Sequence, residues 1–67
     1  MKLFDLSKGN VFRPAQGIHD ALFAYRVVGK LVGCVVVERM FFVNGDWHPT
    51  QEPRLFWVTN IEVTIVQ

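Results

Sequence analysis

The chain has one cysteine, Cys34, so an intrachain disulfide is excluded. It has little charge: 19% of residues are charged, against a usual quarter or so. The balance is nearly even, with 7 Lys and Arg against 6 Asp and Glu and a net charge of +1. Lys2, Lys8, Arg13, Arg26, Lys30, Arg39 and Arg54 never stand side by side, and no basic tail exists. That argues against a protein that grips duplex nucleic acid by neutralising phosphates, which needs a pronounced basic excess. Long hydrophobic runs are also missing. The longest, Leu31 to Val37, falls far short of the ~20 residues of a membrane-spanning helix. At the start, Met1-Lys2-Leu3-Phe4 meets Asp5 before any apolar run develops, unlike a signal peptide. These features predict a cytoplasmic protein with a reduced thiol and no membrane partner. Repeats, low-complexity tracts and linkers are lacking as well, so residues 1–67 are expected to form a single small domain.

What the chain has in quantity is apolar and aromatic side chains, 51% and 13% of its 67 residues. Size scaling gives a folded surface of roughly 4,300 Å² for a chain this short, with little interior to hide them in. A second copy, most simply in a C2 dimer, is expected to cover the remainder. A different protein partner is the other candidate.

Along the chain, Ser7-Lys8-Gly9-Asn10 is a turn signal, and Val11-Phe12-Arg13 a short extended piece before Pro14. Residues 16–28 are ambiguous. Ile18, Ala21, Leu22, Tyr25 and Val28 fall at helical spacing, whereas Phe23, Tyr25, Val27 and Val28 favour a strand. Gly29-Lys30 fits a two-residue hairpin loop with Gly first. Leu31 to Val43 reads as a long strand with two apolar faces, interrupted at Glu38-Arg39, where a bulge or bend is expected. Asn44-Gly45 is the type I′ hairpin dipeptide and the strongest local signal. After the polar loop His48 to Pro53, Arg54 to Val66 alternates cleanly as a second long strand. Leu55, Trp57, Ile61, Val63 and Ile65 share its dry face. The predicted fold is mainly β: a small antiparallel sheet or partly open barrel of four to five strands. The alternative is α+β, a three-stranded antiparallel sheet with one helix over residues 16–28.

Chemistry-bearing patterns are sparse. His19-Asp20 and Asp46-Trp47-His48 are the two polar clusters. Neither has the ligand spacing of a zinc site, and neighbours on a strand point to opposite faces. Cys34 stands in the most apolar stretch, where a thiol is expected to be buried and inert. Ser7 is the only serine and has no evident base, and Gly29-Lys30-Leu31-Val32-Gly33 lacks the spacing of a phosphate loop. No catalytic residue, metal or cofactor is therefore expected.

The candidate binding residues are Trp47, flanked by Asp46 and His48 beside the tight turn, and Phe56 with Arg54 on the last strand. The competing expectation for Trp47 is that it folds back over the hairpin and caps the core beside Phe41 or Trp57. The favoured function is a small non-enzymatic binding protein acting through an apolar-aromatic surface as a homo-oligomer. Its size and lack of motifs suit an accessory protein of phage or mobile-element type. The first alternative is a single-stranded nucleic-acid binder of the small-barrel type, which stacks bases on sheet aromatics among Lys and Arg. Phe56 with Arg54, Trp47, and Tyr25 with Arg26 would then be the platform. The second is an enzyme whose site is shared between subunits and lined by His48, Asp46 or His19.

Overall fold

The computed structural model describes residues 1–17 and 21–67, so the His19-Asp20 cluster lies outside the described residues. The chain is mainly β. A 3-10 turn at Leu3–Asp5 precedes β1 (Val11–Pro14), β2 (Phe23–Leu31), β3 (Cys34–Val43), β4 (Asp46–Pro49), β5 (Leu55–Trp57) and β6 (Val63–Ile65). All pairings are antiparallel, in the order β4-β3-β2-β1-β6, with β5 also paired to β3. Because β2 occupies one edge of β3, β4 and β5 lie in line along the other. The result is a six-stranded open sheet, slightly richer in strands than expected.

The helix alternative over residues 16–28 is overturned, since Phe23 to Val28 belong to β2. Phe23, Tyr25, Val27 and Val28 lose side-chain freedom in a helix and fit a pleated surface. The predicted turn at Gly29-Lys30 is also corrected. β2 runs on to Leu31, which pairs with Cys34 around a turn at Val32-Gly33. Gly33 supplies the positive φ, 78°. The register shifts from Val27↔Val37 to Gly29↔Val36, which leaves Val28 as the extra residue of a bulge. The bulge expected at Glu38-Arg39 is therefore on the partner strand instead. Glu38 and Arg39 stay in the ladder opposite Arg26 and Tyr25. Each finds its own partner: Glu38 accepts two hydrogen bonds from the Arg26 guanidinium, and Arg39 lies 4.3 Å over the Phe23 ring.

The long strand expected over Arg54 to Val66 is broken in two. β5 pairs with β3, then residues 58–62 cross to the opposite end of the sheet, where β6 pairs with β1. The break carries its own bonds. The Phe4 N–H donates to Asn60 Oδ1 at 2.8 Å, Leu3 N–H to the Ile61 carbonyl, and Val63 N–H to the Met1 carbonyl. Period-two alternation survives the break, which is why the sequence pattern does not reveal it.

One face of the sheet holds the main core: Leu3, Leu6, Phe12, Val27, Val35, Val37 and Val63, all buried. Phe12 contacts Tyr25 at 5.8 Å and Trp57 at 5.9 Å, and Tyr25 meets Trp57 edge-on at 5.2 Å. Trp57 on β5 and Val63 on β6 come from opposite ends of the strand order, so the sheet curls around this cluster. The N-terminal turn closes it with Leu3 and Leu6. Of the dry face expected for the last strand, Val63 is buried and Trp57 and Ile61 partly so, but Leu55 and Ile65 are exposed. The total surface is 4461 Å², close to the size-scaling value.

Asn44 and Gly45 both take positive φ, 53° and 82°, as the type I′ hairpin requires. A Cβ added at Gly45 meets nothing within 4 Å, so substitution there acts through the backbone alone. Gly45→Ala is expected to cost about 1–2 kcal/mol and Gly45→Val more. In thermal unfolding that is a drop of roughly 4–8 °C per kcal/mol. An unchanged Tm for Gly45→Val would refute the assignment.

The N-terminal segment is tied down electrostatically. The Met1 ammonium lies 2.9 Å from Glu62 Oε2, and Lys2 Nζ is 3.4 Å from Oε1. The ammonium first, then Lys2, hold the Glu62 carboxyl below its ordinary value of 4.5. A depressed carboxylate stabilises the fold fully above that ordinary value and stops doing so as pH falls through the lower folded one. Glu62→Gln is therefore expected to lower Tm at pH 7, with the difference vanishing in strong acid. A difference that persists at acid pH would show that the pair contributes nothing through charge.

Candidate functional site

The second face of the sheet is built by register. Directly paired residues share a face, as do residues two apart on one strand. Val11↔Arg26↔Glu38 and Ala24↔Met40↔Pro49 therefore lie together, with Phe42↔Trp47 one step further along β3 and β4. Val11, Ala24 and Met40 are buried. Arg13, two residues past Val11, joins them.

Trp47 is half-buried and sits between two neighbours. Its ring is 5.1 Å from Phe42, and the Arg13 guanidinium lies 5.6 Å over it. Arg13 is fixed from behind, donating from Nε to the Phe23 carbonyl at 3.0 Å and from Nη2 to the Ala21 carbonyl. The expectation that Trp47 caps the core beside Phe41 or Trp57 is thus corrected. Type I′ pairing sets Val43↔Asp46 and hence Phe42↔Trp47, which directs the indole away from the face that carries Trp57.

A cleft of about 260 Å³ opens beside Trp47, lined by Asp46, His48, Met40, Val11, Arg26, Gly9 and Gln67. Arg26 and Gly9 also line a neighbouring hollow of about 490 Å³, together with Lys8, Val28, Glu38 and Arg54. The two adjoin at Arg26 and Gly9, which line both, and this groove has Asp46, Trp47 and His48 in its first hollow and Arg54 in its second, four of the sequence-derived candidates. His48 contributes only at the rim, since its ring is on the other face, 5.9 Å from Phe41. Phe56 shares the groove's face through Val36↔Phe56 but lies outside it, in an apolar hollow with Leu55, Trp57, Val58 and Thr59. Tyr25 is on the core face and cannot form a platform with Arg26, since adjacent strand residues point opposite ways.

Arg13, Lys8 and Gly9 were missed by sequence reasoning. Trp47 against Phe42 follows from the Asn44-Gly45 turn alone, whereas Arg13 over Trp47 requires the register of four strands.

Among the described residues, no three His, Cys, Asp or Glu side chains gather as a metal site. Ser7 is engaged in its turn, its N–H donating to Asn10 Oδ1 at 2.8 Å. Cys34 is half-buried beside the Val32-Gly33 turn, less enclosed than expected, because β3 begins there at the end of the sheet. No described helix is long and apolar enough to cross a membrane. No protein-family model matches the chain, and neither the curated proteins nor the solved structures yield a match.

Trp47 and Arg13 should be energetically coupled. Trp47→Ala is expected to cost about 1–2 kcal/mol, less than a fully buried Trp. In a double-mutant cycle with Arg13→Met, a coupling of about 0.5–1 kcal/mol is expected from chemical denaturation. Strict additivity would mean that the stacked guanidinium does nothing for stability.

Proposed function

We propose that this chain is a small, cytoplasmic, non-enzymatic binding protein that works as a C2 homodimer. The observation that carries this reading is the exposure of Leu55, Phe56 and Val58, at 47%, 64% and 70%. Val58 follows Trp57, whose partner is Val35, so it stands level with Cys34 and, across the hairpin, Leu31. Leu31 and Val32 at the hairpin tip are more than half exposed. An apolar patch of this kind, gathered at one end of a sheet, marks an interaction surface.

The occupant best suited to it is a second copy. Among the described residues β5 is paired on one edge only, to β3, and an open edge accepts an antiparallel strand. A two-fold axis beside Phe56 sets the same strand of the partner against it. A standard interface removes about 800 Å² per partner. That is roughly a fifth of the chain's 4461 Å², within reach of the patch and the edge together. In this reading the curled sheet is a partly open barrel whose seam lies between β5 and β6.

Light scattering at about 100 μM protein tests the reading. The expected mass is twice 7.7 kDa, that is 15.4 kDa. Phe56→Asp is expected to return it to 7.7 kDa with the circular dichroism of the sheet retained. A monodisperse 7.7 kDa wild type would overturn the dimer.

A further inference from the structure

The groove on the second face is separate from the apolar end and has a different chemistry. Its cations are Lys8, Arg26 and Arg54, with Arg13 stacked on the Trp47 at its head. Its carboxylates are Glu38 and Asp46. Four cationic side chains against two carboxylate side chains leave +2, of which the Gln67 α-carboxylate at the cleft offsets one.

The other three cations are occupied elsewhere. Lys2 is at Glu62, Lys30 donates to the Phe4 carbonyl, and Arg39 lies over Phe23 with Glu52 nearby. Lys8 and Arg54 form no ion pair among the described residues. Arg26 gives Nε and Nη2 to Glu38, which orients its guanidinium and leaves Nη1 for a ligand.

We infer that this groove binds single-stranded nucleic acid, with a base stacked at Trp47 and successive phosphates at Arg26, Lys8 and Arg54. Three features select that ligand. One aromatic, Trp47, stands at the head of an open face and cations follow beyond it, which suits a strand that stacks one base there and runs its phosphates along the rest. Trp47 offers the part of its half-buried ring that Phe42 and Arg13 leave open, and a π surface stacks with little regard to base identity. Gly9 lines both hollows as an exposed turn residue without a side chain, so nothing there obstructs a phosphate on its way to Lys8 or Arg26. An acidic peptide would find the same cations but has no use for the indole.

Fluorescence anisotropy with labelled oligomers of about a dozen dT or U nucleotides provides the test. Engaging three phosphates predicts a log K against log salt slope of about −2. Lys8→Glu and Arg54→Glu, both on exposed side chains, are each expected to weaken binding about tenfold or more. In a Trp57→Phe background, emission reports Trp47 alone and is expected to be quenched at saturation. A preference for U or for dT would identify RNA or DNA as the natural ligand. Three results would overturn the site: affinity unchanged by both charge reversals, duplex bound as tightly as single strand, or polyglutamate competing equally well with Trp47 emission unchanged. None of these depends on the mass measured for the proposed dimer.

Discussion

The rest of the molecule depends on β3 having two apolar faces and pairing along both edges. Val35 and Val37 are buried on one side and Met40 on the other. A 67-residue chain has too little material to cover both sides of such a strand equally. The first side takes almost all of it: Phe12, Val27, Val63, the N-terminal Leu3 and Leu6, and the partly buried Tyr25 and Trp57. On the second side Val11, Ala24 and Met40 are buried, and what covers them is Trp47, Phe42 and the aliphatic stem of Arg13. They gather at one end of that face and leave the groove and the patch at β5 exposed. Small size on one face of β3 thus accounts for the surface features on the other.

The polar residues follow from the same constraint. Glu38 and Arg39 fall in the middle of the longest strand, and neither can be moved without breaking the β2–β3 ladder. Each is accommodated by a side chain of β2, Arg26 for Glu38 and Phe23 for Arg39. The strand accepts two charges because its neighbour supplies a guanidinium and an aromatic ring at the right register. The bulge at Val28 lies outside that segment, so the polar pairs keep ideal cross-strand positions while the sheet gains twist beyond them.

Strand character, the two apolar faces of residues 31–43 and the Asn44-Gly45 turn are legible in the sequence, because each rests on local conformational preference. Trp47 opposite Phe42 is a consequence of that turn and was equally within reach. The features that were not legible all involve partners distant in sequence. Gly29-Lys30 looks like a hairpin loop locally, yet extending the ladder through the Val28 bulge to Val32-Gly33 pairs Gly29, Lys30 and Leu31 with Val36, Val35 and Cys34. Alternation over Arg54 to Val66 reads as one strand, but the same alternation serves two short strands at opposite ends of the sheet. Leu3 and Leu6 resemble an ordinary terminus until the crossing at 58–62 provides the Ile61 carbonyl for Leu3 N–H and Asn60 Oδ1 for Phe4 N–H. The charges show this most clearly. Lys8, Arg13, Arg26 and Arg54 are scattered along the chain and argue against any basic surface, yet the pairing of β1, β2, β3 and β5 sets Arg13 and Arg26 on one face and brings the turn at Lys8 and, just before β5, Arg54 beside them.

The break in the last strand has a further consequence for assembly. Had Arg54 to Val66 continued as one strand, it would have run past the Cys34 end of β3 as a long apolar strand with open edges, the kind that templates open-ended stacking. Crossing at residues 58–62 cuts β5 to three residues and sends the rest of the chain to β1. An edge that short supplies few backbone hydrogen bonds, so side-chain packing around Phe56 must provide most of the contact. Packing that self-complements about a two-fold axis closes after one addition, whereas backbone pairing alone continues indefinitely. In the proposed dimer, the crossing that completes the core on the first face therefore also leaves an edge suited to closed association only.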